Sequence, residues 1–233
     1  MDFQLPPELT AYLGELDAFI DREIAPLQAR DDNDRFFDHR REWARTDWDM
    51  GGLPRHEWEE LLAKARKLAD QAGHYRFALP KAYGGQDGSN LWMAVIREHL
   101  ASKGLGLFND LQNEHSIVGN NPFVLMIRDF GRPDQQSLIT DMLDKGAFRP
   151  TFGLTEPEHG SDATFMETRA VRAEHHGEAG WRIDGEKMWT TGMHAATHCC
   201  LFVRTSGEDG DARGVTAFLV PAHAPGVKVE EYL

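Results

Sequence analysis

Apolar residues return at helical spacing along the start of the chain: Leu9, Leu13, Leu16, Ile20 and Leu27 share one face, and Pro26 marks a kink or an end. Residues 28–52, QARDDNDRFFDHRREWARTDWDMGG, are densely charged and aromatic with no clear period, which reads as a surface excursion closed by two glycines. Pro54 suits the first turn of a second helix with an apolar face of Trp58, Leu61, Leu62, Ala65, Leu68 and Ala72. GHYRFALPKAYGGQDGSN has the composition of a loop, and shorter helices are expected near 90–102, 121–130 and 134–145.

After Pro150 the period changes. TFGLT, TRAVRAEH, WRID, CCLFVRTS and VTAFLVPA are short runs rich in β-branched and aromatic residues, separated by turn-forming stretches such as HGEAG and GEDGDARG. Five short strands at this spacing predict a compact antiparallel sheet or barrel. The expected fold class is therefore α+β: an all-helical domain over 1–149, then an antiparallel β-barrel-like domain over 150–233.

Composition narrows the chemistry. At 233 residues the chain is long enough for one large domain or two small ones, and 41% hydrophobic with 27% charged residues is ordinary for a soluble globular protein. A net charge of -13 argues against nucleic acid or an anionic membrane as partner. No apolar run is long enough to span a membrane, and the start, MDFQLPPELTAYL, lacks the basic and apolar regions of a signal peptide. Cys199 and Cys200 are the only cysteines, so no disulfide framework exists, and a reduced, cytoplasmic protein is expected.

The stretch EKMWTTGMHAATHCC, residues 186–200, sets His194, His198, Cys199 and Cys200 close together. Adjacent cysteines in a strand point to opposite faces, and no second cysteine cluster exists to complete a zinc site, so no metal is expected. His175 and His176, beside a turn, are read as ordinary surface residues. A second stretch, TFGLTEPEHGSDAT (151–164), ends a strand at Thr155, turns at Pro157 and continues into Gly160-Ser161. Amides and hydroxyls at such a turn can cradle an anion such as a pyrophosphate, and a glycine lets backbone approach it.

Taken together, GLTEPEHGSDAT and the later IDGEKMWTTG resemble the paired flavin-binding signature of the acyl-CoA dehydrogenase family, T-E-P-x-x-G-S-D followed by G-x-K-x-W-x-T/S. FIDREIAPLQ is similar to the family's first helix, ALPKAYGGQDGS to its P-x-x-Y/F-G-G loop and FGRPDQQSLITDMLDKGAFRP to the helical approach to the signature. GVTAFLVPAHAPGVKV is similar to its later β-strands. The resemblance implies FAD bound between a β domain and helices, and oxidation of an acyl-CoA thioester at its α and β carbons with hydride transfer to flavin N5. It implies that Phe152, Leu154, Thr155, Gly160 and Ser161 line the flavin. Thr155 would serve the pyrimidine edge, and Gly160 and Ser161 the pyrophosphate, with Ser161 also meeting substrate. Trp189 would pack on the ring system, with Thr190 beside it and Thr191 hydrogen-bonded near N5.

Glu158 and His159 depart from the small residues common at their positions, adding bulk beside the phosphates. In the family a C-terminal helical domain follows and carries the catalytic glutamate. The chain is therefore read as the N-terminal part of a longer enzyme, with an incomplete β domain, inactive alone, and with no catalytic residue assigned. The resemblance further implies electron-transfer flavoprotein or a similar acceptor as partner, a homodimer or homotetramer, and a place in fatty acid metabolism. An acyl-CoA oxidase, a flavin monooxygenase on the same fold, or a flavin-fold binding subunit without its own base stay open as alternatives. His115 fits either an acyl-tunnel wall or a buried structural role.

Overall fold

In the computed structural model, which describes residues 4–109, 116–119, 121–144, 146 and 148–230, Pro26 does not end the first helix. Helix α1 (Pro7–Phe19) passes through one π turn at Ile20–Ile24 into α2 (Ala25–Gln28). Proline lacks an N–H for the carbonyl one turn earlier and its ring crowds that carbonyl, and a single wider turn just before it relieves both. The apolar positions stay in register through that turn: Leu9, Tyr12, Leu13, Leu16, Phe19, Ile20, Ile24 and Leu27 are all buried. His115 lies outside the described residues.

The aperiodic stretch after Gln28 is anchored at its middle. Phe36 is fully buried against Trp58, with ring centroids 5.2 Å apart. Arg45 lays its guanidinium over the Trp58 ring at 4.5 Å and donates Nε–H to the carbonyl of Phe36 at 2.6 Å. Helix α3 (Arg41–Arg45) leads into a two-stranded hairpin, β1 (Thr46–Asp47) with β2 (Leu53–Pro54). Pro54 therefore stands in a strand and not in the first helical turn. Its pairing with Thr46, and the Arg55 amide donated to the Arg45 carbonyl at 2.7 Å, hold the backbone extended until α4 (His56–Gln71) begins. The buried face of α4 is Trp58, Leu61, Leu62, Ala65 and Ala69, with Leu68 half-buried; Ala72, just past the helix end, is exposed.

The loop before α5 (Asn90–Ser102) is tightly built. The amides of Gln86 and Gly88 both reach the Phe77 carbonyl and that of Asp87 reaches Leu79, while Gly85 lies so close to the Leu79 carbonyl that no side chain fits there. Ser89 caps α5 by accepting the Trp92 amide at 3.2 Å. Helices α6 (Pro122–Phe130) and α7 (Pro133–Asp144) follow. Contacts divide the chain into two compact units, Met1–Thr140 and Asp141–Glu230. The first is organised on one apolar cluster contributed by α1, α2, α4, α5, the segments between them and Leu107, Ile117 and Val118 beyond α5.

The second unit carries a five-stranded sheet of β3 (Pro150–Gly153), β4 (Arg169–His175), β5 (Glu178–Asp184), β6 (His198–Arg204) and β7 (Val215–Pro221). It is mixed, which corrects the antiparallel expectation. The pairs β4–β5 and β6–β7 are antiparallel, but β3 runs parallel to β6 from Pro150↔His198 to Gly153↔Leu201, and β4 meets β6 in parallel at Arg169↔Arg204. Connection length accounts for the difference. His176 and Gly177, both at positive φ, make a tight hairpin turn between β4 and β5, whereas the long segments 154–168 and 185–197 let the chain return in the same direction. Trp181 of β5 meets Phe218 of β7 edge to face at 5.5 Å, yet no ladder joins these strands among the described residues, so the sheet is open and not a closed barrel.

Candidate functional site

The two long connections of the sheet are the two stretches singled out by sequence, and a buried charge pair fastens them together. Glu156 is only 4% exposed, and Lys187 donates to its Oε1 at 2.7 Å while also reaching the Leu154 carbonyl at 3.0 Å. The same carboxylate accepts the amides of Glu167 at 2.5 Å and Thr168 at 3.0 Å, immediately before β4. Burial alone would raise its pKa. The hydrogen bonds from Lys187 and Thr168 and the backbone amides prevail and hold it down at about 2, so the group is a carboxylate throughout the neutral range.

Further bonds set the register between the stretches. The Met188 amide donates to the Thr155 carbonyl at 2.8 Å, and the buried Thr151 hydroxyl donates to the Thr191 carbonyl at 2.5 Å. Gly153 is tight against β6: a Cβ there would stand 2.9 Å from the Cys199 sulfur. At Gly185 (φ +148°) a Cβ would meet the Thr168 side chain at 2.5 Å, so the chain enters the second stretch through a position open only to glycine.

Within this frame Leu154 and Thr155 are half-buried, and Phe152 is exposed at 45% beside Phe202 with centroids 4.8 Å apart. Trp189 is 65% exposed and adopts the left-handed conformation, φ 58°, rare for a bulky residue. Its carbonyl accepts the Thr191 amide at 3.0 Å, and that of Thr190 accepts the Met193 amide at 3.2 Å; Thr190 is half-buried and Thr191 exposed. Leu154 and Thr155 thus stand bonded to the segment carrying Trp189, Thr190 and Thr191. Gly160 and Ser161 are exposed on a separate turn, closed by reciprocal amide–carbonyl bonds between Glu156 and His159, with open space where a Gly160 side chain would be. The bulk of His159 is turned to Phe165, ring centroids 6.3 Å apart, and to Glu167 at 3.7 Å, while Glu158 is exposed.

The segment before β4 and the connection from β6 to β7 hang on Arg204. Its buried guanidinium donates to the carbonyls of Thr164 at 2.5 Å, Asp211 at 3.1 Å and Ser206 at 3.3 Å. Glu156, Lys187 and Arg204 were not singled out by sequence. Glu156 and Lys187 sit inside the two signature stretches, and an acid in one with a base in the other was the available signal. Arg204 closes an apolar strand and carried none. Cys199 and Cys200 are both buried in β6; burial raises both thiols, Cys200 to about 12, and burial lowers His198. Among the described residues no three histidine, cysteine, aspartate or glutamate side chains cluster as a metal site would require.

Comparison with known proteins bears on the family and the fold. Residues 151–233 match the family profile described as acyl-CoA dehydrogenase, middle domain. The glutaryl-CoA dehydrogenase of Desulfococcus multivorans is 26% identical over 231 residues, covering 98% of this chain and 51% of that protein. The 3-sulfinopropanoyl-CoA desulfinase of Variovorax paradoxus is 30% identical over 179 residues, covering 77% of this chain and 42% of its own. A glutaryl-CoA dehydrogenase from Mycobacterium smegmatis, solved in complex with FADH2, superposes with a TM-score of 0.63 at 23% identity, over 95% of this chain and 47% of that one, which shows a shared fold. The chain belongs to the acyl-CoA dehydrogenase family. It spans about half the length of the relatives it matches.

Proposed function

We propose that this chain supplies the flavin-facing part of an FAD-dependent acyl-CoA dehydrogenase. The observation that carries the reading is the bonding of the two signature stretches into one unit, with Thr155 and Trp189 two residues or fewer from a buried Glu156–Lys187 pair. The residues fit FAD. Trp189 and Phe152 offer exposed aromatic surface for a flat ring, and because Lys187 is engaged by Glu156, the donors offered are neutral amides and hydroxyls.

Bound there, FAD would take the two electrons released when an acyl-CoA thioester becomes α,β-unsaturated. Thr155 and Thr191 would direct donors to the ring, fixed in advance on a held backbone, which is where donors contribute most. Phe152, Leu154, Trp189 and Thr190 would wall the ring from water. Gly160 and Ser161 would receive the pyrophosphate, Ser161 also meeting the acyl-CoA. In this reading 1–149 is the helical domain and 150–233 the middle β domain, in a cytoplasmic homodimer or homotetramer passing electrons to electron-transfer flavoprotein or a similar acceptor. No helix among the described residues is long and apolar enough to cross a membrane. The proton-abstracting carboxylate is assigned to no residue of this chain.

The test is to supply the purified protein with flavin, release what it retains by denaturation and identify it by mass. FAD is expected; FMN, or no flavin retained, contradicts the reading. Turnover of a panel of acyl-CoA thioesters with an artificial electron acceptor is expected to be absent from this chain alone; turnover by it would place the proton-abstracting base within residues 1–233.

A further inference from the structure

The Glu156–Lys187 pair lies on the side of the two stretches away from solvent, with side chains 4% and 8% exposed, while Trp189 stands out in solvent. A buried ion pair is a weak source of stability, because an apolar pair of similar volume often does as well. What it supplies here is placement. Lys187 is two residues before Trp189, Glu156 is next to Thr155, and the second bond of Lys187 goes to the carbonyl of Leu154. The carboxylate also takes the amides of Glu167 and Thr168, so its three-way junction is fixed to the start of β4 and cannot slide.

A second observation points the same way. A bulky side chain in the left-handed region carries strain that persists only where neighbours over-determine the backbone. At Trp189 the backbone is held before it, by the Met188 amide on Thr155, and after it, by the Thr151 hydroxyl on Thr191. Both holds run between the same two stretches that the charge pair joins.

We infer that Glu156 and Lys187 are positioning residues that set Thr155 and Trp189 against one another before any flavin arrives, so that the cofactor meets a surface already in its binding arrangement. The inference rests on the FAD reading above for its ligand, but the preorganisation itself is measurable without flavin. The experiment compares the flavin-free full chain with Lys187→Met and Lys187→Arg by hydrogen exchange, then titrates each with FAD. In Lys187→Met the amides of Met188 and Thr191 should exchange about tenfold faster, with those of β6 and β7 unchanged. FAD affinity should fall about tenfold or more, since ordering the surface then costs binding energy. Lys187→Arg, which keeps the charge, should recover most of both. Should Lys187→Met fail to fold, Glu156→Gln removes the other charge at nearly constant volume and is held to the same outcomes. Unchanged exchange at Met188 and Thr191, or acceleration spread equally through β6 and β7, overturns the inference. Failure of the unsubstituted chain to bind FAD counts against the flavin reading alone, and the exchange data still decide whether the pair positions the loops.

Discussion

The two units of this chain are held by different means. Among the described residues the helical unit buries large aliphatic and aromatic side chains, including Leu9, Leu16, Ile24, Phe36, Ile96 and Leu100, in one cluster. The sheet unit buries Met166, Ala170, Ala196, Cys199, Cys200, Val203 and Ala222, mostly small, and beside them Thr151, Glu156, Thr168 and Arg204. Of its larger apolar groups, Phe152, Phe165, Val171, Trp181 and Trp189 are exposed, and Leu201, Phe202, Phe218 and Leu219 are half-buried. Apolar burial is strong but non-directional, which suffices to stack helices. Long loops that must present particular groups need directional bonds, and buried charges supply them at the cost of desolvation. The contrast separates a scaffold from a candidate site.

The largest effect should come from breaking the polar frame. Arg204→Met removes the charged donor to the carbonyls of Ser206 and Asp211 and one of the two donors to that of Thr164, which keeps the Gly210 amide, and a loss of about 3–5 kcal/mol is expected at about 1.5–3 kcal/mol for each bond from a charged donor, less where the carbonyl meets water. Exchange should rise in 161–168 and 205–214 first, with the helical unit unchanged. Leu16→Ala attacks the apolar frame instead: a fully buried leucine removed from a packed cluster should cost about 3 kcal/mol, within the range for such cavities. Denaturant unfolding should show that loss in the helical unit while exchange in β6 and β7 keeps its rate.

Acid distinguishes the units more gently. Glu156 is depressed from an ordinary 4.5 to about 2, so its contribution is fully present above about pH 4.5 and is lost as pH falls toward 2. That contribution is on the order of 3 kcal/mol, and Glu156→Gln should flatten the stability profile within that window. In the helical unit, burial lowers His74, which lies 3.2 Å from the Tyr12 hydroxyl. Its contribution is present above the ordinary histidine value of 6.5 and declines as pH falls below it, so the helical unit should begin to lose stability at the higher pH. Amide exchange from pH 7 down to 3, corrected for intrinsic rates, checks the order.

How much of this was legible in the sequence follows the same division. Apolar period located α1 and α4, because burial of large side chains writes itself as spacing, and the three later helices lie near where they were expected. Pro54 was misplaced because a two-residue hairpin leaves no period to read. Strand positions were visible but their directions were not: the parallel pairing of β3 with β6 depends on where the long connections return, which local alternation does not encode. At the site, the signature stretches stood out by resemblance. The Glu156–Lys187 bond between them did not, since residues 31 apart in sequence meet only through the fold.

On the proposed reading the stretch containing Trp189 faces a flavin, and exposure alone does not make a site. Trp48, on the hairpin of the helical unit, is also well exposed, at 52%, and stands beside Trp43 with centroids 6.1 Å apart. Equilibrium titration of the full chain with FAD, run in parallel on Trp189→Ala and Trp48→Ala, tests the claim on one residue type in two settings. Trp189→Ala should weaken binding about 10- to 100-fold, or about 1.4–2.8 kcal/mol, with hydrogen exchange in β6 and β7 unchanged, and Trp48→Ala should bind as the unsubstituted chain does. Equal affinity for all three proteins, or a loss confined to Trp48→Ala, contradicts it.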